Sequence, residues 1–224
     1  MSVDWKQIFS GRYHNSSKPY YAKCGYGNEL SLKIRKDKIK KIVERYYTSG
    51  LCVDIGCGLG AYCEVLPTNY IGIDFIIEPI LTLKRSSGRK VVLGDVMKLP
   101  LRDEISNLCV AIEVTQHLDN LELFFYEVSR ITKQDGIFVL ISPNPESLLW
   151  FLRGKIKGKS PLNFITISSS VKILQKFNFT PIVLDGVFLP LFPIDYLGKY
   201  LSIGKIYNFT RYFAKSYVLV CRKG

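Results

Sequence analysis

Short apolar runs alternate with stretches of helical periodicity through the middle of the chain. The runs are rich in valine, isoleucine and leucine and are shorter than typical helices. Residues 77–85 and 116–133, which lie between such runs, have apolar side chains at helical spacing. This alternation predicts βαβ units, and therefore a parallel sheet with helices on both faces. The predicted strands cover residues 51–55, 70–75, 91–93, 108–112 and 137–141.

The segment before this region predicts one basic helix. Ile34, Ile39, Ile42 and Val43 recur at near-helical spacing among many lysines. We therefore expect a helix with a lysine-rich outer face that ends at Gly50.

The pattern is less regular after residue 143. A helix is predicted over residues 168–177, with Ser168 as its N-cap, and strands over residues 179–184 and 217–221. Pro190 and Pro193 exclude a long helix between residues 186 and 198.

The sequence VDIGCGLG at residues 53–60 joins the first predicted strand to what we expect to be a helix. Glycines at such a turn let the backbone approach a ligand closely, and the free N–H groups of a helix start suit a carboxylate or a phosphate. A tight turn without a ligand would explain the same glycines.

Asp74 and Asp95 end the second and third predicted strands. Ligands of open parallel sheets bind at the carboxyl ends of the strands, and an acidic residue at the position of Asp74 is suited to a ribose diol. The glycine loop and both aspartates would then lie on one edge of the sheet. Taken singly, each aspartate could also be a helix N-cap or a surface turn.

The order of these motifs resembles that of class I S-adenosylmethionine-dependent methyltransferases. The resemblance is carried by VDIGCGLG (53–60), IGID (71–74), GDVMKLPL (94–101), CVAIEVTQHLDN (109–120) and DGIFVLISPNP (135–145). It covers residues 45–145 well and is nearest to the type 11, small-molecule group that is related to quinone and polysaccharide-pathway enzymes. The resemblance implies a Rossmann-like, doubly wound α/β fold. Its sheet would have seven mostly parallel strands with an antiparallel C-terminal strand.

The resemblance also implies a set of cofactor-binding residues. The aspartate before the glycine loop, together with that loop, would hold the methionine part of S-adenosylmethionine. The aspartate that ends the second strand would bind the ribose, and the residue after it would pack on the adenine ring. The third aspartate would contact the adenine amino group, and the end of the fourth strand would border the sulfonium and the acceptor. In that order the residues are Asp54, Ile55, Gly56, Cys57, Gly58 and Gly60; Asp74 and Phe75; Asp95 and Val96; Glu113 and Val114.

The chain departs from the family pattern at several positions. Asn107 opens the fourth strand where relatives usually have aspartate, and residues 161–166 lack the histidine that many relatives carry. An Asn/Asp-Pro-Pro-aromatic motif does not follow the fourth strand, which argues against methylation of the exocyclic amino group of a base.

His117 is the candidate catalytic residue. It follows Glu113 by four residues at the edge of the sheet, and an imidazole there could accept a proton from a hydroxyl acceptor. The alternative is a packing role against the cofactor or the acceptor.

Composition narrows the class of protein further. Hydrophobic residues make up 47% of the 224, which is enough for a globular core, and neither a membrane-spanning run nor a signal-like start is present. The six cysteines form no CxxC pair, so we predict neither a zinc site nor any other metal site. On these grounds we expect a soluble, cytoplasmic protein.

The net charge of +12 is unevenly distributed. Residues 1–50 and 141–224 carry net charges of +7 and +9, whereas residues 51–140 carry −4. The last third is also apolar and aromatic, which fits a lipid-like or phosphorylated acceptor at a membrane surface, while basic and aromatic residues together also fit RNA. A solvated basic face without a partner would have the same composition. The apolar and aromatic residues are Leu148, Leu149, Trp150, Phe151, Phe188, Leu191, Phe192 and Tyr196.

We therefore predict a single methyltransferase domain. It comprises a basic helical lid (1–50), a cofactor-binding core (51–145), an acceptor-side segment (146–216) and a last strand (217–224). The predicted reaction is methyl transfer to a small hydrophobic or anionic acceptor, with oxygen as the methylated atom. The alternatives are an RNA methyltransferase, a non-catalytic cofactor-binding partner of the same fold and, less in keeping with the glycine spacing, an NAD-linked dehydrogenase.

Overall fold

Seven strands form one mixed sheet in the order β3-β2-β1-β4-β5-β7-β6 in a computed structural model, which describes residues 5–14, 17–148, 163–187 and 214–224. The first five strands in this order are parallel. β7 lies between β5 and β6 and is antiparallel to both. The strands are β1 (Cys52–Ile55), β2 (Tyr70–Asp74), β3 (Lys90–Leu93), β4 (Ser106–Ile112), β5 (Thr132–Pro143), β6 (Phe179–Val187) and β7 (Ser216–Lys223). The predicted doubly wound sheet with an antiparallel last strand is confirmed.

The described helices surround this sheet. They are α1 (Trp5–His14), α2 (Tyr20–Lys23), α3 (Glu29–Tyr46), α4 (Ile77–Ser87), α5 (Leu121–Ile131) and α6 (Ile167–Lys176), with a 3₁₀ turn at Thr115–His117. Several predicted boundaries were wrong, including those of the helix predicted over residues 116–133, which spans Leu121–Ile131. α3 ends at Tyr46 instead of at Gly50, and the side chain that caps α6 is that of Thr166, which accepts a hydrogen bond from the Ser169 N–H, rather than that of Ser168.

Successive residues of the central strands pack into two different apolar clusters. Val53 and Cys109 belong to a cluster that includes residues of α5 and α6. Cys52 and Leu108 belong to a second cluster that includes residues of α3. Because side chains alternate across a strand, these clusters occupy opposite faces of the sheet. Both faces of the sheet are therefore covered, as its continuous apolar strands require.

The predicted helix after the glycine loop is absent from the structure. Residues 56–66 form consecutive turns instead, in which the Gly60 N–H bonds to the Cys57 carbonyl and the Cys63 N–H to the Gly60 carbonyl. Gly58 and Gly60 have positive φ angles of 50° and 73°, which a right-handed helix cannot accommodate. The sequence indicated the turn correctly but not the helix that was expected to follow it.

Much of the predicted acceptor-side segment lies outside the described residues. This applies to its apolar and aromatic residues from Leu149 to Tyr196 and to both prolines, whereas Leu148 is described and exposed. The division of the chain into a lid, a core and an acceptor-side segment therefore stays a prediction. Among the described helices, none is long and apolar enough to cross a membrane.

Candidate active site

A cavity of about 970 Å³ lies at the carboxyl ends of β1, β2 and β4. The strand order reverses between β1 and β4, so the cavity occupies the switch point where open α/β sheets bind ligands. Most of the predicted site residues line it. These are Asp54, Gly56, Cys57, Gly58, Asp74, Phe75, Asp95, Val96, Glu113, Val114 and His117.

Two predicted residues do not line the cavity. Ile55 is fully buried within β1, in the core. Gly60 packs on Leu83 of α4, so that a Cβ atom there would overlap the leucine side chain. Both residues pack against the protein core instead of facing the cavity.

The glycine loop is tied to β2 by backbone hydrogen bonds. The N–H groups of Gly56 and Cys57 donate to the Ile73 carbonyl over 2.8 and 3.0 Å. Gly56 has a φ of 74°, and a Cβ atom there would lie 2.5 Å from Cγ2 of Val114. The loop therefore needs glycine at this position both for its backbone conformation and for the close approach of Val114, which follows β4.

Asp54 is buried below this loop. The Tyr70 hydroxyl donates a 2.8 Å hydrogen bond to its Oδ2. Burial raises the pKa of the Asp54 carboxyl to about 7; the bond from Tyr70 opposes this shift and the charge of Asp74 adds to it. Asp54 thus places a buried carboxyl with a raised pKa directly before the glycine loop.

Asp74, at the end of β2, accepts hydrogen bonds from the glycine loop and from the start of α4. The Gly58 N–H donates to Oδ2 over 2.8 Å and the Ile76 N–H to Oδ1 over 3.1 Å. Burial raises the pKa of Asp74, and these backbone bonds counteract the rise. Phe75 beside it is partly exposed, which leaves its ring accessible to a planar ligand.

The loop after β3 carries the third predicted aspartate. Asp95 is exposed and accepts a 2.8 Å hydrogen bond from the Met97 N–H, whereas Val96 is buried. This pair places a carboxylate at the cavity edge and an apolar side chain on its wall.

Glu113, at the end of β4, belongs to a polar cluster that sequence reasoning missed. Its Oε1 accepts hydrogen bonds from Arg35 Nη2 over 3.3 Å and from the Ser216 hydroxyl over 2.8 Å. Arg35 is almost completely buried, although it lies in the segment for which we predicted a lysine-rich outer face. The signal was available: Arg35 lies between Leu32 and Ile39 on the apolar face of α3.

His117 ends the 3₁₀ turn after β4 and contacts the N-terminal helix. Its ring packs edge-on against Phe9 of α1, with ring centroids 4.9 Å apart. Ile8 and Tyr13 of the same helix also line the cavity. The described part of the N-terminal segment thus walls the cavity, which is the arrangement that a lid needs.

The residues present fit S-adenosylmethionine. Carboxylates at two strand ends can accept hydrogen bonds from ribose hydroxyls and an amino group. The Gly58 position faces the cavity, where a Cβ atom would meet only the Tyr13 hydroxyl, at 3.3 Å. A volume near the upper end of the usual 300–1,000 Å³ leaves room for an acceptor beside the cofactor. Among the described residues, no cluster of three or more potential metal ligands is found.

Comparison with known proteins gives a family match over the cavity-lining strands. Residues 53–140 match the family model described as a methyltransferase domain. Two solved structures share the fold. A Thermotoga maritima methyltransferase, a possible histamine N-methyltransferase, is 21% identical and has a TM-score of 0.66, with 87% of this chain and 92% of that chain covered. The geranyl diphosphate C-methyltransferase of Streptomyces coelicolor A3(2), in complex with S-adenosyl-L-homocysteine, is 13% identical and has a TM-score of 0.68, with 100% and 99% covered.

Three relatives show how far the sequence similarity extends. An uncharacterised protein of Methanocaldococcus jannaschii is 27% identical over 188 residues, which are 80% of this chain and 71% of the relative. The Arabidopsis thaliana tRNA (carboxymethyluridine(34)-5-O)-methyltransferase is 30% identical over 109 residues, 47% of this chain and 26% of the relative. The fatty-acid O-methyltransferase of Mycolicibacterium smegmatis is 23% identical over 184 residues, with 75% and 66% covered.

The matched domain contains the glycine loop, both aspartates at strand ends and the whole of β4. The similarity to the M. jannaschii and M. smegmatis proteins extends well beyond it. Residues 53–140 therefore match a methyltransferase domain, and the chain shares its fold with S-adenosylmethionine-dependent methyltransferases.

Proposed function

We propose that the enzyme transfers the methyl group of S-adenosylmethionine to an oxygen atom of a small, largely hydrophobic acceptor. One observation carries the proposal: apolar and aromatic side chains of α1 and of the segment after β4 form part of the cavity lining. Ile8 and Phe9 come from α1, and Leu118 follows the 3₁₀ turn. An apolar wall of this kind favours an apolar body in the acceptor.

We infer that the strand-end residues bind the cofactor. Asp74 would accept hydrogen bonds from the ribose hydroxyls, and Phe75 would pack on the adenine ring. Asp95 would accept from the adenine amino group, with Val96 beside it. Asp54 and the backbone of the glycine loop would support the methionine part. The positions of these residues around one cavity support the assignment.

The bound cofactor supplies a methyl group on a positively charged sulfur, which an acceptor displaces in line. What the protein contributes is placement and exclusion of water. α1 covers the cavity through Phe9 and Tyr13, and the Tyr20 hydroxyl donates to the Leu59 carbonyl of the glycine loop over 3.4 Å. These contacts connect the N-terminal segment to the loop that would hold the cofactor.

Whether the reaction needs a base depends on which group accepts the methyl group. A hydroxyl nucleophile needs a base, and His117 lies on the cavity wall where it could serve. A carboxylate nucleophile is already ionised near neutral pH and needs none. His117 would then contribute packing alone, through its contact with Phe9.

Two relatives support oxygen as the methylated atom. The names of the M. smegmatis and A. thaliana proteins each specify O-methylation, of a fatty acid and of a carboxymethyluridine. Fatty acids combine an apolar body with an anionic oxygen, which matches the apolar wall of the cavity.

The test is transfer of a labelled methyl group from S-adenosylmethionine to four acceptors: decanoic acid, histamine, geranyl diphosphate, and tRNA that contains carboxymethyluridine. We expect label in the methyl ester of decanoic acid, and little or none in the other three. Label in histamine or geranyl diphosphate alone would refute the O-methylation proposal.

A second candidate is O-methylation of RNA, which is favoured by the A. thaliana relative. The lysines of α3 are less available for RNA than their number suggests, because Lys36, Lys38 and Lys40 pair with the carboxylates of Glu64, Asp185 and Glu44. Label in the tRNA arm, together with tRNA affinity that falls steeply with salt, would favour this candidate over a small acceptor.

A further inference from the structure

Glu113 lines the cavity, and hydrogen bonds from two other side chains hold one oxygen of its carboxylate, Oε1. Oε1 accepts from Arg35 and Ser216, as described above, and Arg35 Nη2 also donates to the Ser216 hydroxyl over 3.1 Å. Within the described part of the chain, Oε2 has only a long contact of 3.4 Å with Gln116 Nε2. The three side chains therefore form a closed triangle that fixes the orientation of the carboxylate.

The backbone of Glu113 is fixed as well. Its φ is 58°, a left-handed conformation that non-glycine residues rarely adopt, and its N–H donates to the Ile141 carbonyl of β5 over 2.7 Å. The Gln116 side chain donates back to the Glu113 carbonyl over 2.9 Å. Such conformations persist where the surrounding structure over-determines them, and they cluster at functional sites.

A ligand in the cavity meets more of the Glu113 side chain than of the Arg35 side chain. The side chain of Glu113 is 22% exposed and that of Arg35 only 2%. Arg35 is further enclosed by the Tyr26 ring, 5.0 Å from the guanidinium carbon, and donates to the Ser31 carbonyl from Nη1. Both side chains line the cavity, but Glu113 is the more exposed of the two, so the pair presents mainly its negative end to a ligand.

This negative charge lies on the side of the cavity next to the glycine loop. Val114, the next residue, covers Gly56, and both line the cavity together with Glu113. The other cavity-lining carboxylates differ: Asp54 is buried and bonded to Tyr70, Asp74 accepts hydrogen bonds from the Gly58 and Ile76 N–H groups, and Asp95 and Asp119 are exposed. Glu113 is therefore the carboxylate best placed to sense charge near the methionine part of the cofactor.

We propose that Glu113 is the residue by which the site distinguishes the positively charged methyl donor from its neutral product, S-adenosylhomocysteine, and that Arg35 and Ser216 are positioning residues for it. Transfer of the methyl group removes the positive charge from the sulfur. The product would then lose an attraction that the donor had, which favours exchange of product for fresh donor. The proposal rests on cofactor binding, and the identity of the acceptor does not enter it.

The test compares two cofactor analogues by calorimetry in the absence of any acceptor. Sinefungin carries an ammonium group where the donor carries its charged sulfur, and S-adenosylhomocysteine is neutral there. In Glu113→Gln, whose amide oxygen can still accept from Ser216 and Arg35, we expect sinefungin affinity to fall about tenfold. The affinity for S-adenosylhomocysteine should stay within about twofold, because only the charge interaction is removed.

Asp119→Asn is the matched control, because it removes the same charge from an exposed carboxylate at the edge of the cavity. Its effect on the ratio of the two affinities should be small, since solvent screens an exposed charge. Equal losses for both ligands in Glu113→Gln, no loss for either, or the same change of ratio in Asp119→Asn would each overturn the proposal. Failure of the unaltered enzyme to bind either ligand would overturn the cofactor assignment along with it.

The positioning role has its own variant pair. Ser216→Ala keeps the charge of Glu113 but removes one of the two donors to Oε1, so the preference for sinefungin should fall about threefold, roughly the loss of one modest hydrogen bond. Ser142→Ala removes a buried hydroxyl that is hydrogen-bonded to Thr115 and not to Glu113. It should leave the preference for sinefungin over S-adenosylhomocysteine unchanged. Equal preferences in Ser216→Ala, Ser142→Ala and the unaltered enzyme would refute the positioning role.

Discussion

The Tyr70 hydroxyl donates a 2.8 Å hydrogen bond to the Asp54 carboxylate beneath the glycine loop. The bond joins β2 to β1 through side chains, and both groups are buried. Burial raises the pKa of Asp54 to about 7, even though the bond from Tyr70 favours the ionised form. Asp54, which lies beneath the glycine loop, therefore has a pKa within the physiological range of pH.

This pKa predicts how stability depends on pH. An aspartate in an unfolded chain has a pKa near 3.9, so the folded protein holds its Asp54 proton more tightly than the unfolded chain does. The stabilisation from this group is complete below about pH 4 and is lost as the pH rises through about 7. Asp54→Asn removes the effect, so its free energy of unfolding should improve relative to that of the unaltered enzyme between pH 5 and pH 8.

Urea unfolding at pH 5 and pH 8 measures this difference. Each unit of pKa elevation corresponds to about 1.4 kcal/mol, so a relative shift of 1–3 kcal/mol is expected, roughly the span between those two pH values. Asp103→Asn serves as the control, because its carboxylate is exposed and should show little relative change. If the difference in free energy of unfolding between Asp54→Asn and the unaltered enzyme is the same at both pH values, the raised pKa is contradicted.

A second prediction concerns Gly56. Gly56→Ala places a Cβ atom 2.5 Å from Val114 at a positive φ, so we expect a loss of about 2–4 kcal/mol of stability and at least tenfold weaker binding of S-adenosylhomocysteine. Gly88 is a matched control, because its φ is 67° but nothing lies within 4 Å of the added atom. Gly88→Ala should cost about 1–2 kcal/mol and leave the affinity unchanged. Equal affinity losses in both variants would show that backbone strain alone, without the contact to Val114, explains the effect.

A third prediction tests the role of His117. If it is the base for a hydroxyl acceptor, His117→Ala should lower kcat by about 10²–10⁴ with little change in affinity for S-adenosylhomocysteine. Phe9→Ala removes the ring that packs against His117 and keeps the imidazole, so it separates packing from proton transfer. Turnover of His117→Ala within a few-fold of the unaltered enzyme, or losses as large in Phe9→Ala, would assign His117 a packing role. Labelled-methyl kinetics on whichever acceptor is confirmed gives the measurement.

The strands and the strand-end aspartates could be predicted because their signals are local. A buried parallel strand is a continuous apolar run, and a turn at its end needs Gly or Asp, so residues 51–60 and 71–74 indicate their own structure. The prediction of a helix after the glycine loop was wrong because Gly58 and Gly60 adopt positive φ angles. A glycine-rich stretch permits a helix start and a series of turns equally well, and packing on Leu83 decides between them.

The Arg35–Glu113–Ser216 cluster could not be predicted, because its members come from three distant parts of the chain. Glu113 was expected at the cavity through the motif around it, but nothing near it in the sequence indicates Arg35 or Ser216. Arg35 lies in a lysine-rich helix where most basic residues face solvent. The spacing of Leu32, Arg35 and Ile39 places Arg35 on the apolar face of α3, but only the packing of α3 on the sheet brings it to Glu113 and Ser216.

A fourth prediction concerns Arg130, which holds the loop that carries Asp95. Its guanidinium donates to the carbonyls of Leu99 and Leu101 over 2.9 and 2.7 Å and forms two bonds with Glu127. Glu127 Oε2 also accepts from the Leu99 N–H, and the hydrogen bonds from Arg130 lower the pKa of Glu127.

Arg130→Met should therefore cost about 2–4 kcal/mol of stability, because it leaves buried carbonyls and a carboxylate without their donors. Because the lowered pKa favours the ionised form, the contribution of Glu127 is present above its unfolded pKa near 4.3 and is lost as the pH falls through its lower folded value. The stability difference between Arg130→Met and the unaltered enzyme should thus narrow in acid.

Lys176→Met is the control, since that residue pairs with Glu122 at the surface and should cost less than about 1 kcal/mol. Unfolding at pH 7 and pH 3.5 measures how far the stability difference between Arg130→Met and the unaltered enzyme narrows. Calorimetry with S-adenosylhomocysteine tests whether the loop that carries Asp95 still supports binding. A several-fold loss of affinity in Arg130→Met, with none in Lys176→Met, would connect the α5 network to cofactor binding through Asp95. Full affinity in an Arg130→Met variant that has lost the expected stability would show that the loop around Asp95 keeps its shape without this network.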